Sequence, residues 1–314
     1  MERGMDTVAI VVVAYNRPDS LSRLLMSLAA ADYPEDKEIP LIISIDKGNN
    51  AEVIRAADNF AWIHGEKSVV CRDTNLGLKQ HVLLCGDYTK IYGNIIMLED
   101  DLYVSPAFYY YAQAALAFSD TQEDIGGISL YNHQLNVHVR EPFAAIHDGY
   151  DNWYFQFASS WGQAFGSRQW SAFLEWFQEN GKKPLASANI PENVSSWSDR
   201  SWLKYYIKYL VESGKYFLYP QVSLTTNFSE EGVHAAKTVT DLQVPLAGRI
   251  IQNPSYRFSS LQESGAVYDA FFENICLKKQ AAAQLAEMPE EYCKEEKIEI
   301  DLYGYKPIGS KVRY

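Results

Sequence analysis

Asn94-Ile95-Ile96-Met97-Leu98-Glu99-Asp100-Asp101 is a short apolar run that ends in three consecutive carboxylates. The run reads as a buried strand, and unpaired buried charge is costly enough that the acids after it must meet water or a cation. A hard divalent ion, Mg²⁺ or Mn²⁺, is the simplest partner for such an oxygen-rich end, because these ions keep coordination positions open for substrate phosphates. Strand C-termini are also where open α/β sheets bind ligands. The same triplet would serve as a solvated acidic turn ahead of the helix that Ser105-Pro106 announces, so on the residues alone both readings stand.

Upstream, short apolar runs alternate with amphipathic ones, the pattern of βαβ units and a mostly parallel sheet. Val8 to Ala14 reads as a buried strand, and after the Asn16-Arg17-Pro18 turn Leu21, Leu24, Leu25 and Leu28 recur at helical spacing. Pro40 to Ile45 reads as the next strand, ending at Asp46, with a helix over Ala51 to Ala61. Val69 to Cys71 is a third strand, Asn75-Leu76-Gly77-Leu78 a turn into a helix reaching about Tyr88, and Asn94 to Leu98 the fourth strand. No Gly-x-Gly-x-x-Gly follows any of these strands and there is no Walker-type Gly-Lys-Ser/Thr, so neither familiar phosphate loop is present.

Beyond Ile128 the texture turns aromatic, with six of the seven tryptophans between Trp153 and Trp202. Aromatic faces pack against the C–H side of a pyranose, which makes Trp161 and Trp197 candidates for a sugar-binding surface. Trp170, Phe173, Trp176 and Phe177 recur at helical spacing and are expected to pack inward. Gly181 to Ser196 lacks periodicity and reads as a long mobile loop; Trp202, Tyr205, Tyr206, Tyr209 and Leu210 mark a helix, and Ala266 to Ala286 another.

Composition narrows the function classes. The 314 residues are 47% hydrophobic and 22% charged, as in an ordinary soluble globular protein. A net charge of −12 argues against nucleic acid or an anionic membrane as a bulk partner and leaves at most peripheral membrane contact. The four cysteines, Cys71, Cys85, Cys276 and Cys293, form no Cys-x-x-Cys pair and no zinc-like pattern with the six histidines. Val8 to Ala14 is too short for a signal peptide or a spanning helix, and a cytoplasmic location is expected.

In a parallel sheet the strand C-termini share one edge, so Tyr15-Asn16-Arg17, Asp46 and Glu99-Asp100-Asp101 are expected to converge on one crevice. A nucleoside diphosphate would suit that crevice, with Arg17 on a phosphate or base, Asp46 accepting from base or ribose, and a metal on Asp101 bridging phosphate oxygens. Each of the three also has an ordinary role, Arg17 and Asn16 in a turn and Asp46 as a cap before Gly48-Asn49-Asn50.

Glu99-Asp100-Asp101-Leu102 followed by Pro106-Ala107-Phe108, then Trp161-Gly162, Trp197-Ser198-Asp199 and Gly232-Val233-His234, stand in a consistent order from about Thr7 to His234. In that order the chain resembles GT-A type nucleotide-sugar glycosyltransferases, most of all the N-acetylglucosaminyltransferase I branch. The resemblance implies an α/β fold with a mostly parallel central sheet flanked by helices and an aromatic-rich acceptor side. Residues 1–130 would be the nucleotide-sugar half, 131–250 the acceptor-binding and catalytic half, and 251–314 a C-terminal helical extension. It further implies a metal-dependent, inverting transfer from a UDP-sugar to a hydroxyl of a glycan or glycolipid acceptor, with Mn²⁺ or Mg²⁺ as cofactor.

By the same resemblance Asp101 would ligate the metal directly, Glu99 and Asp100 would orient the nucleotide sugar and the metal's waters, and Asp199 would be the general base. The family has two acids after that Trp where this chain has Ser198 and Asp199, and its Gly-Val-Ser-His segment is one residue shorter here, with His234 placed to reach the diphosphate. Asp199 would also suit the first turn of the helix carrying Trp202, where the helix dipole would lower its pKa and weaken it as a base. Two other readings remain open, a sugar-phosphate nucleotidyltransferase, whose Gly-rich loop after the first strand is absent here, and a catalytically silent carbohydrate-binding protein of the same fold.

Overall fold

The computed structural model describes residues 7–185, 189–228, 241–249 and 254–286, so His234 and Cys293 lie outside the described residues. In chain order the elements are β1 (Val8–Ala14), α1 (Pro18–Ala29), β2 (Leu41–Ile45), α2 (Ala51–Asn59), β3 (Lys67–Cys71), α3 (Gly77–Gly86), α4 (Thr89–Tyr92), β4 (Asn94–Glu99), β5 (Leu102–Val104), α5 (Phe108–Ser119) and β6 (Ile125–Ser129). They continue with β7 (Leu135–Asn136), β8 (Glu141–Pro142), β9 (Asn152–Phe155), β10 (Gln163–Gly166), α6 (Ser167–Asn180), α7 (Glu192–Ser195), α8 (Leu203–Glu212), β11 (Tyr216–Pro220), β12 (Thr225–Asn227), β13 (Val267–Tyr268) and α9 (Ile275–Ala286).

Nine strands form one sheet in the order β13-β9-β11-β6-β10-β4-β1-β2-β3. The β4-β1-β2-β3 stretch is parallel, β10 runs antiparallel between β4 and β6, and β9 runs antiparallel to β11. This is the α/β, mostly parallel and helix-flanked sheet the sequence leads one to expect. All seven positions of β1 are buried, so its side chains face two cores rather than one. Ile10, Val12 and Ala14 join Leu21, Leu24, Leu25 and Leu28 of α1 and the buried positions of α5, whereas Ala9, Val11 and Val13 join Val82 and Cys85 of α3, with α6 and α8. The helical spacing of the α1 leucines is thereby explained, since all four point into the first core.

The second core holds the aromatic residues. Trp153, Trp170 and Trp202 are fully buried, and the Phe173 and Tyr206 rings lie 4.1 Å apart between α6 and α8. The sheet takes strands from all three expected segments, since β13 extends its edge beyond residue 250.

Two expectations need correcting. Ala266 to Ala286 is not one helix: Val267–Tyr268 is a strand, and the helix starts at Ile275. Between them the Asp269 carboxylate accepts from the Phe271 and Glu273 amides, and Asn274 Oδ1 accepts from the Leu277 amide, a turn and cap that compete with helix there. The stretch 181–196 is likewise not wholly irregular, because Pro191 leads the one-turn helix α7. Among the described residues no helix is long and apolar enough to cross a membrane.

Gly86, at the C-terminal end of α3, faces the Trp170 indole so closely that a Cβ there would overlap the ring. Helix propensity would favour Gly86→Ala by about 1 kcal/mol. Overpacking against a fully buried tryptophan costs about 1–3 kcal/mol and outweighs it. Urea unfolding of Gly86→Ala should therefore show a lower midpoint than the wild type; a raised midpoint would contradict the packing.

Candidate active site

The hydrogen-bond ladder of the sheet brings the polar strand ends together. Val13 pairs with Glu99 and Ala14 with Ile45, and beyond those pairs the Asp100 amide donates to Val13 O (3.1 Å) and the Asp46 amide to Ala14 O (2.9 Å). Tyr15, Asp46 and Asp100 are thus neighbours on one sheet edge despite wide separation in sequence. That much of the expected convergence follows from register alone.

Arg17 closes the cluster. Its guanidinium donates to Asp101 Oδ2 through Nη1 (3.0 Å) and to Asp100 Oδ1 through Nη2, while the Tyr15 amide donates to Asp100 Oδ2 (3.3 Å). Burial disfavours the charge on Arg17, but Asp100 and then Asp101 outweigh it and hold its pKa above the ordinary value. Asp100 is 2% exposed, and burial raises its carboxyl to about 6 against the opposing pull of Arg17. Glu99 is raised as well, by burial first and then by repulsion from Asp101. Asp101 Oδ1 and Asn16 Oδ1 are buried and find no hydrogen-bond partner among the described residues. The crevice therefore concentrates negative charge around one guanidinium and leaves acceptor oxygen unused.

Among the described residues no three His, Cys, Asp or Glu side chains are grouped to hold a metal ion. The donor set does not suit a closed, all-protein site. A hard divalent ion would have to be taken up through Asp101, whose buried Oδ1 is unpartnered among the described residues, with oxygen ligands from outside the protein.

Asp46 has a second occupation that sequence reading did not reach. Its Oδ1 accepts from the Lys47 and Leu76 amides and its Oδ2 from the Gly77 amide, each at 2.9 Å. The carboxylate ties the end of β2 to the first turn of α3, and three of its roughly four acceptor sites are taken by backbone. The cap acts on the Leu76-Gly77 turn rather than on Gly48 to Asn50, where Asn50 caps α2 instead. Behind it Ser44 Oγ lies 2.8 Å from His81 Nε2 and accepts from Arg72 (3.1 Å), and burial pushes His81 down to about 4.

Trp161 is half-buried. The antiparallel register that pairs Gln163 with Met97 carries it towards the Glu99 end of β4, where its ring stands edge-on to Tyr131 at 4.8 Å. Trp197 is half-buried too, edge-on to Phe157 at 6.2 Å.

Asp199 is not where the helix argument puts it. α8 begins at Leu203, so Asp199 lies in the turn before the helix, with its side chain 93% exposed. Its pKa is lowered by the hydrogen bond from Lys204 Nζ (2.8 Å) and by the charge of that lysine, not by a helix terminus. Lys204 is itself 2% exposed and donates also to Trp197 O (2.7 Å), and Lys79 of α3 donates to Asp199 O (2.6 Å). These two lysines were missed because nothing in the sequence links α3 to the Trp197 segment. His234 lies outside the described residues, and the Phe228 amide donates to Asp101 O (2.8 Å).

No family model matches the chain. It is 25% identical over 242 residues to an alpha-1,3-mannosyl-glycoprotein 2-beta-N-acetylglucosaminyltransferase of Arabidopsis thaliana, a match covering 73% of this chain and 48% of that protein. The chain thus spans about half the length of the curated relative it matches, and the likeness to the N-acetylglucosaminyltransferase I branch carried by its motifs is borne out by that relative. Among solved structures it is similar to Staphylococcus aureus TarS in complex with UDP-GlcNAc (TM-score 0.45, 13% identity, 73% of this chain and 60% of that one). It is also similar to the mannosyltransferase PcManGT of Pyrobaculum calidifontis in complex with GDP-Man and Mn²⁺ (TM-score 0.45, 14% identity, 72% and 58%).

Asp46→Ala would strand three backbone amides and should lower the unfolding free energy by about 2–4 kcal/mol in urea titrations, whereas Asp46→Asn, which keeps an acceptor oxygen, should lose less. His81 gives a pH effect of known sign. It stays neutral down to about 4 when folded but takes a proton near 6.5 when unfolded, so the unfolded state binds more protons between those values. Stability contributed by neutral His81 is present above that window and lost as pH falls through it. His81→Gln should flatten that part of the stability profile.

Proposed function

We propose that the chain is a metal-dependent, inverting glycosyltransferase that moves a sugar from a UDP-sugar to a hydroxyl of a glycan or glycolipid acceptor. The observation that carries this reading is the meeting of Arg17, Asp100 and Asp101 at the C-terminal edge of the parallel strands. There a guanidinium and a buried, unpartnered carboxylate oxygen lie together at the edge where a diphosphate would sit. The curated relative, by its name an N-acetylglucosaminyltransferase, supports the class and makes UDP-N-acetylglucosamine the first donor to test.

In this reading Asp101 would hold Mn²⁺ or Mg²⁺, which when bound neutralises charge on the departing diphosphate. Arg17 binds a phosphate oxygen pair through its planar fork, and Tyr15 and Asp46 line the nucleoside side. Glu99 and Asp100 orient the donor sugar, with Trp161 offering it an aromatic face. Asp199 accepts the proton of the acceptor hydroxyl as that oxygen attacks the anomeric carbon, and the bond from that carbon to the diphosphate oxygen breaks. To act so it has to leave Lys204, because a paired, exposed carboxylate is a weak base. His234 is proposed to meet the diphosphate. The cell compartment on this reading is the cytoplasm, with at most peripheral membrane contact.

The wild type should release UDP from UDP-N-acetylglucosamine in the presence of Mn²⁺, and Asp101→Ala should abolish that release. Undiminished release by Asp101→Ala would refute the ligand role. Asp199→Asn should reduce transfer to an acceptor by about 10²–10⁴-fold while leaving UDP affinity near the wild-type value, as loss of a general base requires. Pyrophosphate in place of UDP among the products would point instead to a nucleotidyltransferase, and sugar binding without turnover to a silent carbohydrate-binding protein.

A further inference from the structure

We propose that Arg17 is an exchangeable counter-ion, bridging Asp100 and Asp101 while no nucleotide is present and moving to the diphosphate when donor binds, so that tight divalent-cation binding requires the nucleotide. The proposal rests on the reading of this edge as the donor site and goes beyond it, because it concerns what occupies the carboxylates before donor arrives.

Three features of the cluster point this way. The guanidinium lies on Asp101 Oδ2, on the very carboxylate proposed to take the metal, while Oδ1 of that group has no partner among the described residues. A second cation on Oδ1 would share one carboxylate with Arg17, and the two like charges would repel across a part-buried site. The second feature is asymmetry of burial. The Arg17 side chain is 28% exposed and Asp101 16%, against 3% for Asp100, so the arginine is the member of the bridge a ligand can reach most readily and Asp100 the least. The third is chemistry. A planar fork with five donors binds a carboxylate pair or a phosphate equally well, which suits Arg rather than Lys for the exchange.

Arg17 sits in the turn directly after β1 and immediately before Pro18 at the start of α1. Its backbone is held between the strand and the helix, and its partly exposed side chain is the part that would change partners. Linkage then demands reciprocity: by whatever factor nucleotide raises cation affinity, the cation raises nucleotide affinity. Part of that factor resides in Arg17, since a diphosphate that takes over the guanidinium also clears Asp101 for the metal.

Mn²⁺ binding to the full chain, followed by calorimetry or by the electron paramagnetic resonance signal of free Mn²⁺, tests this in the presence and absence of UDP. Without UDP, Arg17→Gln should bind Mn²⁺ about tenfold more tightly than the wild type, and UDP should raise Mn²⁺ affinity about tenfold less in the variant than in the wild type. Arg17→Lys, which keeps one charge but cannot bridge two carboxylates, should fall between them. Thermal melts report whether each variant is folded, and Arg17→Lys decides the matter if Arg17→Gln is not. If the wild type binds Mn²⁺ with UDP but neither variant gains affinity without it, the exchange is wrong and the donor-site reading survives. If the wild type takes up no Mn²⁺ even with UDP, both fall together.

Discussion

The site depends on the burial of β1. A strand with every position packed between two cores has no room for polar side chains along its length, so the first polar groups occur where it ends. Because β2 and β4 flank it in register, their ends are level with its own. The amide of Asp46 and the amide of Asp100 are bonded to the last carbonyls of β1. Two apolar cores thus determine where the charges go, and the crevice is the place where the sheet stops being apolar.

Charge within the crevice is balanced locally and not by the molecule as a whole. A chain with a net charge of −12 has no general attraction for anions, so an anion at this edge would have to be met by particular cations. Among the described residues Arg17 is the one joined directly to the acidic strand end, while Lys79 and Lys204 gather around Asp199. Asp46 is engaged differently, since its carboxylate is spent largely on backbone amides and holds α3 against β2. Lys79 projects from that same helix, so the bond from Asp46 to the Gly77 turn helps to place the lysine that meets the Trp197 segment. The Asp46 strand end and the Asp199 turn are in this way mechanically connected through α3.

The aromatic half divides by the same logic. Trp153, Trp170 and Trp202 fill the second core and are structural. Trp161 and Trp197 are only half-buried, and Trp161 lies just before β10, on the side towards Glu99.

Local periodicity determined much of this protein. The Val8 to Ala14 run, the leucine stripe of α1, and the strands ending at Asp46 and Glu99 were legible because burial on two faces or one imposes a residue pattern that needs no knowledge of distant partners. The tail was misread as one helix because its competing signals are side-chain hydrogen bonds from Asp269 and Asn274, which leave no periodic trace. Tertiary structure alone decided which charge answers which. Arg17 pairs with the Asp101 carboxylate across 84 positions of chain, and Lys79 reaches the backbone carbonyl of Asp199 across 120. The physical reason is that a polar or ionic contact is made in space, its energy depends on distance and burial, and neither quantity is written in the order of residues along the chain.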